Sequence, residues 1–278
     1  MRRMLLLFCL WAAHLFYMTP EASAEPPMIE KTEQIRQQMA ASKGVRQKWS
    51  VYLQWLQPYL QRYMRTHRVY VLQPGFEELY TANPDICGWL NVASFVDEPV
   101  LWRDNSFYLD HGFDREDSID GAVFLDERGE RYAEEPSLLV YGHNMKSGAM
   151  FGLMDNYREA DYLKQYPIVT YQSAWEEEPR KYVLFSLFDA SMTPENDEYQ
   201  RIVWYPFPGR EEHQAYLDQL KARSFYRVPI DVTVDDQLIT LVTCSYSQEN
   251  GRFLVTGRRL REGEDEEELR RILADCDF

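Results

Sequence analysis

With 278 residues, 45% of them hydrophobic, the chain is long enough for one core of ~200 residues plus appendages, and its composition is that of an ordinary globular protein. A net charge of −15 argues against nucleic-acid binding, which needs a basic patch. Four cysteines are too few for a disulfide framework at this length, and no loop has EF-hand spacing.

Arg2 and Arg3 precede an uncharged stretch from Met4 to Pro20, and Ala22-Ser23-Ala24 offers a small-residue cleavage site. Residues 1–24 therefore read as a signal peptide or a signal anchor. The apolar part spans about 25 Å, short for a bilayer core, which favours cleavage. The two arginines fit the positive-inside rule for an anchor whose following domain lies outside. On either reading the domain is exported.

Residues 25–73 read as a helical appendage. Trp49, Tyr52, Leu53, Leu56, Leu60, Tyr63 and Met64 recur at three- and four-residue steps, and Pro58 kinks or splits the helix. Residues 30–68 carry eight Lys/Arg against two Asp/Glu. Such a stretch either packs on the next domain as a hairpin or lies on anionic lipid. The charge then reverses: residues 69–278 hold 20 basic and 41 acidic residues. Glu176 to Glu178 and Glu264 to Glu268 read as solvated faces.

Residues 74–262 contain strand-like runs with few helices. Phe76 to Leu79 is a short helix after the Pro74-Gly75 breaker, and Asn83-Pro84-Asp85 is a turn. Strands follow at Ile86 to Val92, Pro99 to Trp102 and Gly121 to Asp126. Asn105 to His111 lies between the last two. Ser137 to Tyr141 is a buried strand with His143 at its exit, followed by a loop and short helix from Lys146 to Tyr157. Ile168 to Tyr171 and Tyr182 to Phe188 are strands. A long connection from Thr193 to Ile230 holds an aromatic patch, Trp204-Tyr205-Pro206-Phe207, and a helix from about Glu211 to Arg223. A connection of this length is usually functional. Val232 to Val234 and Leu238 to Thr243 lead as strands to Cys244. A turn-rich loop, Ser245 to Gly251, precedes a further strand from Arg252. Residues 263–278 read as an exposed acidic helix. About eight strands suggest a closed or nearly closed β-barrel.

Cys244 and Arg252 thus face each other across a loop at two strand ends, and His143 marks a third. A thiol beside a fixed cation and an imidazole suits nucleophilic catalysis. The bland reading of each residue alone is a core thiol and a structural histidine. His111, the rival histidine, follows a short aromatic segment rather than a buried strand. Cys9 lies in the leader, and Cys87 and Cys276 are able to pair or to stay free.

Together these stretches resemble the sortases, the cysteine transpeptidases of Gram-positive cell surfaces. Thr240-Leu241-Val242-Thr243-Cys244 matches the TLxTC signature, and Arg252 follows the cysteine by eight residues. Tyr141-Gly142-His143-Asn144-Met145, with Met150-Phe151 and Leu153, is similar to the class B histidine segment. The order of helix, Asn-Pro-Asp turn and Gly-Trp-Leu strand is also class B-like. The resemblance covers roughly residues 76–260. It implies an eight-stranded sortase-type barrel with an N-terminal helical appendage and a helix in the long connection. It assigns Cys244 as nucleophile, His143 as acid and base, and Arg252 as oxyanion or peptide holder, with no metal or organic cofactor. It places Asn105, Leu109, Tyr141, Tyr199 and Thr243 in the peptide groove. The implied partners are a sorting-motif peptide of secreted surface proteins and an amine of a peptidoglycan precursor or a pilin. The implied location is the outer face of the cytoplasmic membrane.

Two departures stand out. The loop Ser245 to Asn250 lacks the aspartate of some class B members, leaving Glu249 as the candidate acid there. Position 242 is valine where serine is frequent. Two alternatives stay open: a secreted cysteine hydrolase and a non-catalytic surface module. A papain-like enzyme has its cysteine before its histidine, the reverse of this order, and the caspase QACxG signature is absent.

Overall fold

A computed structural model describes residues 70–93, 95–193, 195, 209–247 and 249–277. The leader, the appendage as far as Val69, Tyr199 and the aromatic patch at Trp204 to Phe207 lie outside the described residues. Residues 70–278 make up one compact unit.

A 3-10 turn at Pro74–Phe76 leads into α1 (Glu77–Ala82), and the Asn83 side chain caps the following turn by accepting from the Asp85 amide at 3.0 Å. The strands are β1 (Ile86–Val92), β2 (Val96–Trp102), β3 (Val123–Leu125) and β4 (Ser137–Tyr141). After α2 (Ala160–Gln165) come β5 (Ile168–Ser173) and β6 (Arg180–Ser191). Then follow α3 (Arg210–Arg223), β7 (Leu238–Cys244), β8 (Gly251–Arg259) and α4 (Glu266–Ala274). Phe107–Leu109, between β2 and β3, is a 3-10 turn.

The eight strands close into a barrel in the order β1-β2-β3-β4-β7-β8-β6-β5, with β5 pairing back to β1. The pairs β2–β3 and β4–β7 are parallel; the others are antiparallel. Alternate residues point inward, as the two-residue period of a strand requires. Ile239 and Leu241 of β7 meet Val140, Phe253 and Val255 inside the barrel, with Cys87 and Leu90 opposite. The outward residues are covered too. Leu238 and Leu254 pack under Tyr216, Leu217 and Leu220 of α3 and under Leu269 and Leu273 of α4. Strands buried on both faces read as continuous apolar runs, which is why β7 stood out in the sequence.

Three expectations change. Val232 to Val234 is unpaired chain that ends in a turn; Asp236 there accepts from the Thr233 amide instead of a neighbouring strand. The tail helix is not simply exposed, since Leu269 and Leu273 dock one face. Its acids, and those at 176–178, are only partly solvated. Glu264 pairs with Arg258, Glu266 with Lys181 and Arg270, and Glu176 with Arg180. Glu177, Glu178, Asp265, Glu267 and Glu268 stay exposed, as expected. Cys87, Cys244 and Cys276 are all free thiols, so Cys87 and Cys276 form no bridge. No described helix is long and apolar enough to cross a membrane.

Candidate active site

Register brings the three expected residues to one rim of the barrel. Cys244 ends β7 and pairs with Arg252 of β8. The Ser245 amide donates to the Gly251 carbonyl at 3.0 Å. Residues 245 and 251 are therefore the hydrogen-bonded pair, and 244 and 252 are the non-bonded pair, in which side chains sit closer. β4 runs parallel to β7 with Tyr141 opposite Val242. β4 ends there, and the residues on either side of His143 stay tied to β7: the Gly142 carbonyl accepts from the Thr243 hydroxyl at 2.7 Å and the Asn144 side chain donates to the Cys244 carbonyl at 2.9 Å. Cys244 and Arg252, directly opposite in register, share one face of the sheet. Each is half-buried.

The imidazole is oriented by backbone. His143 Nε2 lies 2.5 Å from the carbonyl oxygen of Leu109. A carbonyl only accepts, so Nε2 carries a proton, and in the neutral ring the lone pair is on Nδ1. The ring fits because residue 121 is glycine. A Cβ there would lie 2.5 Å from the Tyr108 carbonyl and 3.0 Å from His143 Cδ2, and φ is +59°. Gly142 has the same steric need, because the buried Phe151 ring presses on it at 2.9 Å from any Cβ. Gly142 stands in the histidine segment with no role of its own legible there, and Gly121 lies 22 residues before the histidine it seats.

Arg252 is a cation without a carboxylate partner among the described residues. Its guanidinium donates to the Gly251 carbonyl at 2.8 Å. Cys87 is a contrasting thiol: fully buried in β1, it is pushed up to about 12 by burial and donates to the Val100 carbonyl. Burial thus disqualifies it as a nucleophile at neutral pH. His111 stacks on Phe107 and binds the Asp110 carboxylate at 2.6 Å. Its bonds are spent on its own loop.

The expected groove residues divide. Leu109 is 47% exposed beside His143. Asn105 is tied to the turn after β3: its side-chain oxygen accepts from the Glu127 amide at 2.8 Å. Tyr141 stacks on Phe124 and donates its hydroxyl to Asp126 at 2.8 Å. Burial and the Asp126 charge raise that phenol well above its ordinary value. Thr243 is a correction. It is 2% exposed and its hydroxyl donates to the Gly142 carbonyl at 2.7 Å, so the side chain joins β7 to the histidine segment and does not line a groove.

Glu249 is exposed in the turn before β8. The carboxylate that reaches this loop comes from β6 instead. Asp189 is paired with Arg158 at 2.6 and 2.8 Å, and Arg158 donates onward to the Ser245 hydroxyl at 3.3 Å. Burial pushes Asp189 up, but Arg158 and the hydroxyls of Ser245 and Ser247 outweigh it and hold the carboxyl below its ordinary value. Arg158 also stands 4.5 Å over the Phe253 ring.

No protein-family model matches the chain. Sortase B of Staphylococcus aureus is 30% identical over 210 residues, covering 74% of this chain and 82% of the relative. Sortase B of Listeria monocytogenes is 30% identical over 188 residues, covering 65% and 72%. A solved Staphylococcus aureus sortase B–substrate complex superposes with a TM-score of 0.61 at 26% identity, over 76% of this chain and 95% of that one.

Proposed function

The chain belongs to the sortase B family of cysteine transpeptidases, and from that premise we propose that Cys244, His143 and Arg252 carry the transfer. The observation behind this reading is that Cys244 stands opposite Arg252 while the residues flanking His143 are bonded to Thr243 and Cys244. Cys244 passes its thiol proton to His143 Nδ1, the thiolate attacks a backbone carbonyl carbon of a sorting-motif peptide, and the carbonyl electron pair moves onto oxygen. Arg252, held by no carboxylate among the described residues, is the cation for that oxyanion. The tetrahedral species collapses, the C–N bond breaks, and His143 supplies the proton to the departing amine. A thioester remains. A second amine attacks it and loses a proton to His143, and the S–C bond breaks to regenerate the thiolate.

The same reading extends to partners. Leu109 and the side-chain amide of Asn105 line the approach to His143 and contact the peptide, as does the half-buried Tyr141. A peptide fits because the similar Staphylococcus aureus structure is a substrate complex. The incoming amine belongs to a peptidoglycan precursor or a pilin. Export through residues 1–24 puts the domain on the outer face of the cytoplasmic membrane.

Intact-mass spectrometry tests the reading. The protein is incubated with fluorescent peptides carrying NPxTN-like and PxTG-like motifs, with and without oligoglycine or a diaminopimelate-type amine. The expected result is a thioacyl adduct that disappears in Cys244→Ala and is released by amine. Release at the same rate without amine makes the protein a hydrolase, and an adduct on Cys244→Ala removes the assigned nucleophile.

A further inference from the structure

Asn144 directly follows the histidine, yet its side chain serves the nucleophile's strand. Residues 244 and 252 form a non-bonded pair, so the Cys244 carbonyl points away from β8, toward the β4 side. There the Gly142 amide still donates to the Val242 carbonyl, at 3.3 Å, but β4 ends at Tyr141. The next ladder position is filled by a side chain: Asn144 Nδ2 donates to the Cys244 carbonyl at 2.9 Å. Asn144 is 7% exposed, so water does not readily replace that donor.

Asn144 is itself held. The same nitrogen lies 3.3 Å from Asp155 Oδ2, while Asp155 Oδ1 accepts from Arg158 Nε at 2.9 Å. Arg158 continues to Asp189 of β6 and to Ser245. On the other side, the Asn144 carbonyl accepts from the Tyr246 hydroxyl at 3.2 Å, and the His143 carbonyl accepts from the Phe151 amide at 2.9 Å. The residues before and after the thiol are thus tied to the residues before and after the imidazole, with Asp155 between the two arms.

The geometry points to Asn144 and Asp155 as a positioning pair for the transfer reaction, fixing the end of β7 so that the Cys244 thiol meets His143 and Arg252. This rests on Cys244 being the nucleophile. Neither residue touches the reacting atoms. Without the Asn144 donor, the last carbonyl of β7 loses its partner and the strand end moves. A displacement of about 1 Å costs on the order of 10²-fold in rate. Leu109 and Asn105 sit on a different segment, so peptide binding is spared.

The test uses the full chain, a peptide that acylates the wild type, and iodoacetamide alkylation of Cys244 followed across pH by peptide mass mapping. Asn144→Ala is expected to lower kcat about 10- to 100-fold with KM within about twofold, and to move the pH profile of alkylation. Asp155→Ala gives a smaller loss, Asp155→Asn, with one acceptor oxygen in place of two, restores part of it, and the double alanine variant is no slower than Asn144→Ala alone within about twofold. Unchanged kcat, a loss confined to KM, or multiplicative losses in the double variant overturn the pairing. If Asn144→Ala does not fold, the half-exposed Asp155 variants and their rescue decide the matter. If Cys244→Ala still acylates, the nucleophile assignment and this proposal fall together; if only the Asn144 and Asp155 effects are missing, this proposal falls alone.

Discussion

The two ends of the β7–β8 pair are built to opposite specifications. At the end where β7 begins and β8 finishes, the buried arginines are saturated, while the exposed Arg259 reaches only Gln237 among the described residues. Arg258 is 2% exposed and grips Glu264, and Arg180, equally buried, holds Glu176 at 2.6 Å. Arg261 binds Asp236 at 2.7 Å and Asp231 at 3.0 Å. At the end where β7 finishes, Arg252 has one bond among the described residues, to a neighbouring carbonyl. Even Arg158, just behind it, is fully engaged by two aspartates. Satisfied cations hold the barrel shut. A cation that is to receive charge created during a reaction has to be left available, as Arg252 is beside Cys244.

The contrast breaks most clearly at Arg252. Arg252→Ala is expected to reduce the rate of thioacyl formation about 10²- to 10³-fold, while thermal melting shifts the midpoint by no more than about 2 °C. Arg252→Lys recovers only part of the rate, because an ammonium lacks the planar fork. A melting loss as large as the activity loss would show that Arg252 belongs with the structural arginines.

Arg258→Ala is the converse. It strands Glu264 and the Asp231 carbonyl, and urea unfolding is expected to report a loss of about 2–3 kcal/mol, below that of a fully buried pair because Glu264 still reaches water. Alkylation of Cys244 per folded molecule stays at the wild-type rate. A parallel loss of thiol reactivity would mean that the two ends are coupled.

Acid gives the smallest and most graded effect. Burial opposes the shift at Asp236, but the Arg261 guanidinium outweighs it; at Glu264 the Arg258 guanidinium is the main cause. Both carboxyls sit below their ordinary values when folded. Their contribution is therefore present above the unfolded carboxylate range, near pH 4, and is lost as pH falls through the lower folded values. Urea midpoints between pH 6 and 3 should drop by the equivalent of about 1 kcal/mol, and Arg261→Gln should flatten the fall. A variant that tracks the wild type point for point removes Arg261 from the account.

Much of this was legible in the sequence because β7 is buried on both faces and ends on a polar turn. Its apolar run, its stop at Cys244, the return at Arg252 and the exit at His143 are one-dimensional signals. The same double burial hid Thr243. When both faces of a strand are apolar, no alternation tells which residue points inward, and a threonine next to the nucleophile passes for a ligand contact. Gly121 and Asn144 were missed for a different reason. One acts by lacking a side chain near a ring 22 residues away, the other by replacing a ladder bond where a strand has run out. Both depend on which strands become neighbours, and composition or spacing does not carry that.

The hairpin β7–β8 has one more consequence, set by its place in the chain. During synthesis from the N-terminus, β1 to β6 emerge first, and β4 and β6 then each present an edge with no partner. Such edges invite pairing with other chains. The last hairpin fills the gap between them, and it is also the segment that carries Cys244 and Arg252. A chain cut short before Arg252 is therefore sticky, and a chain that completes its barrel acquires its rim thiol, its rim cation and its edge-free surface in the same step.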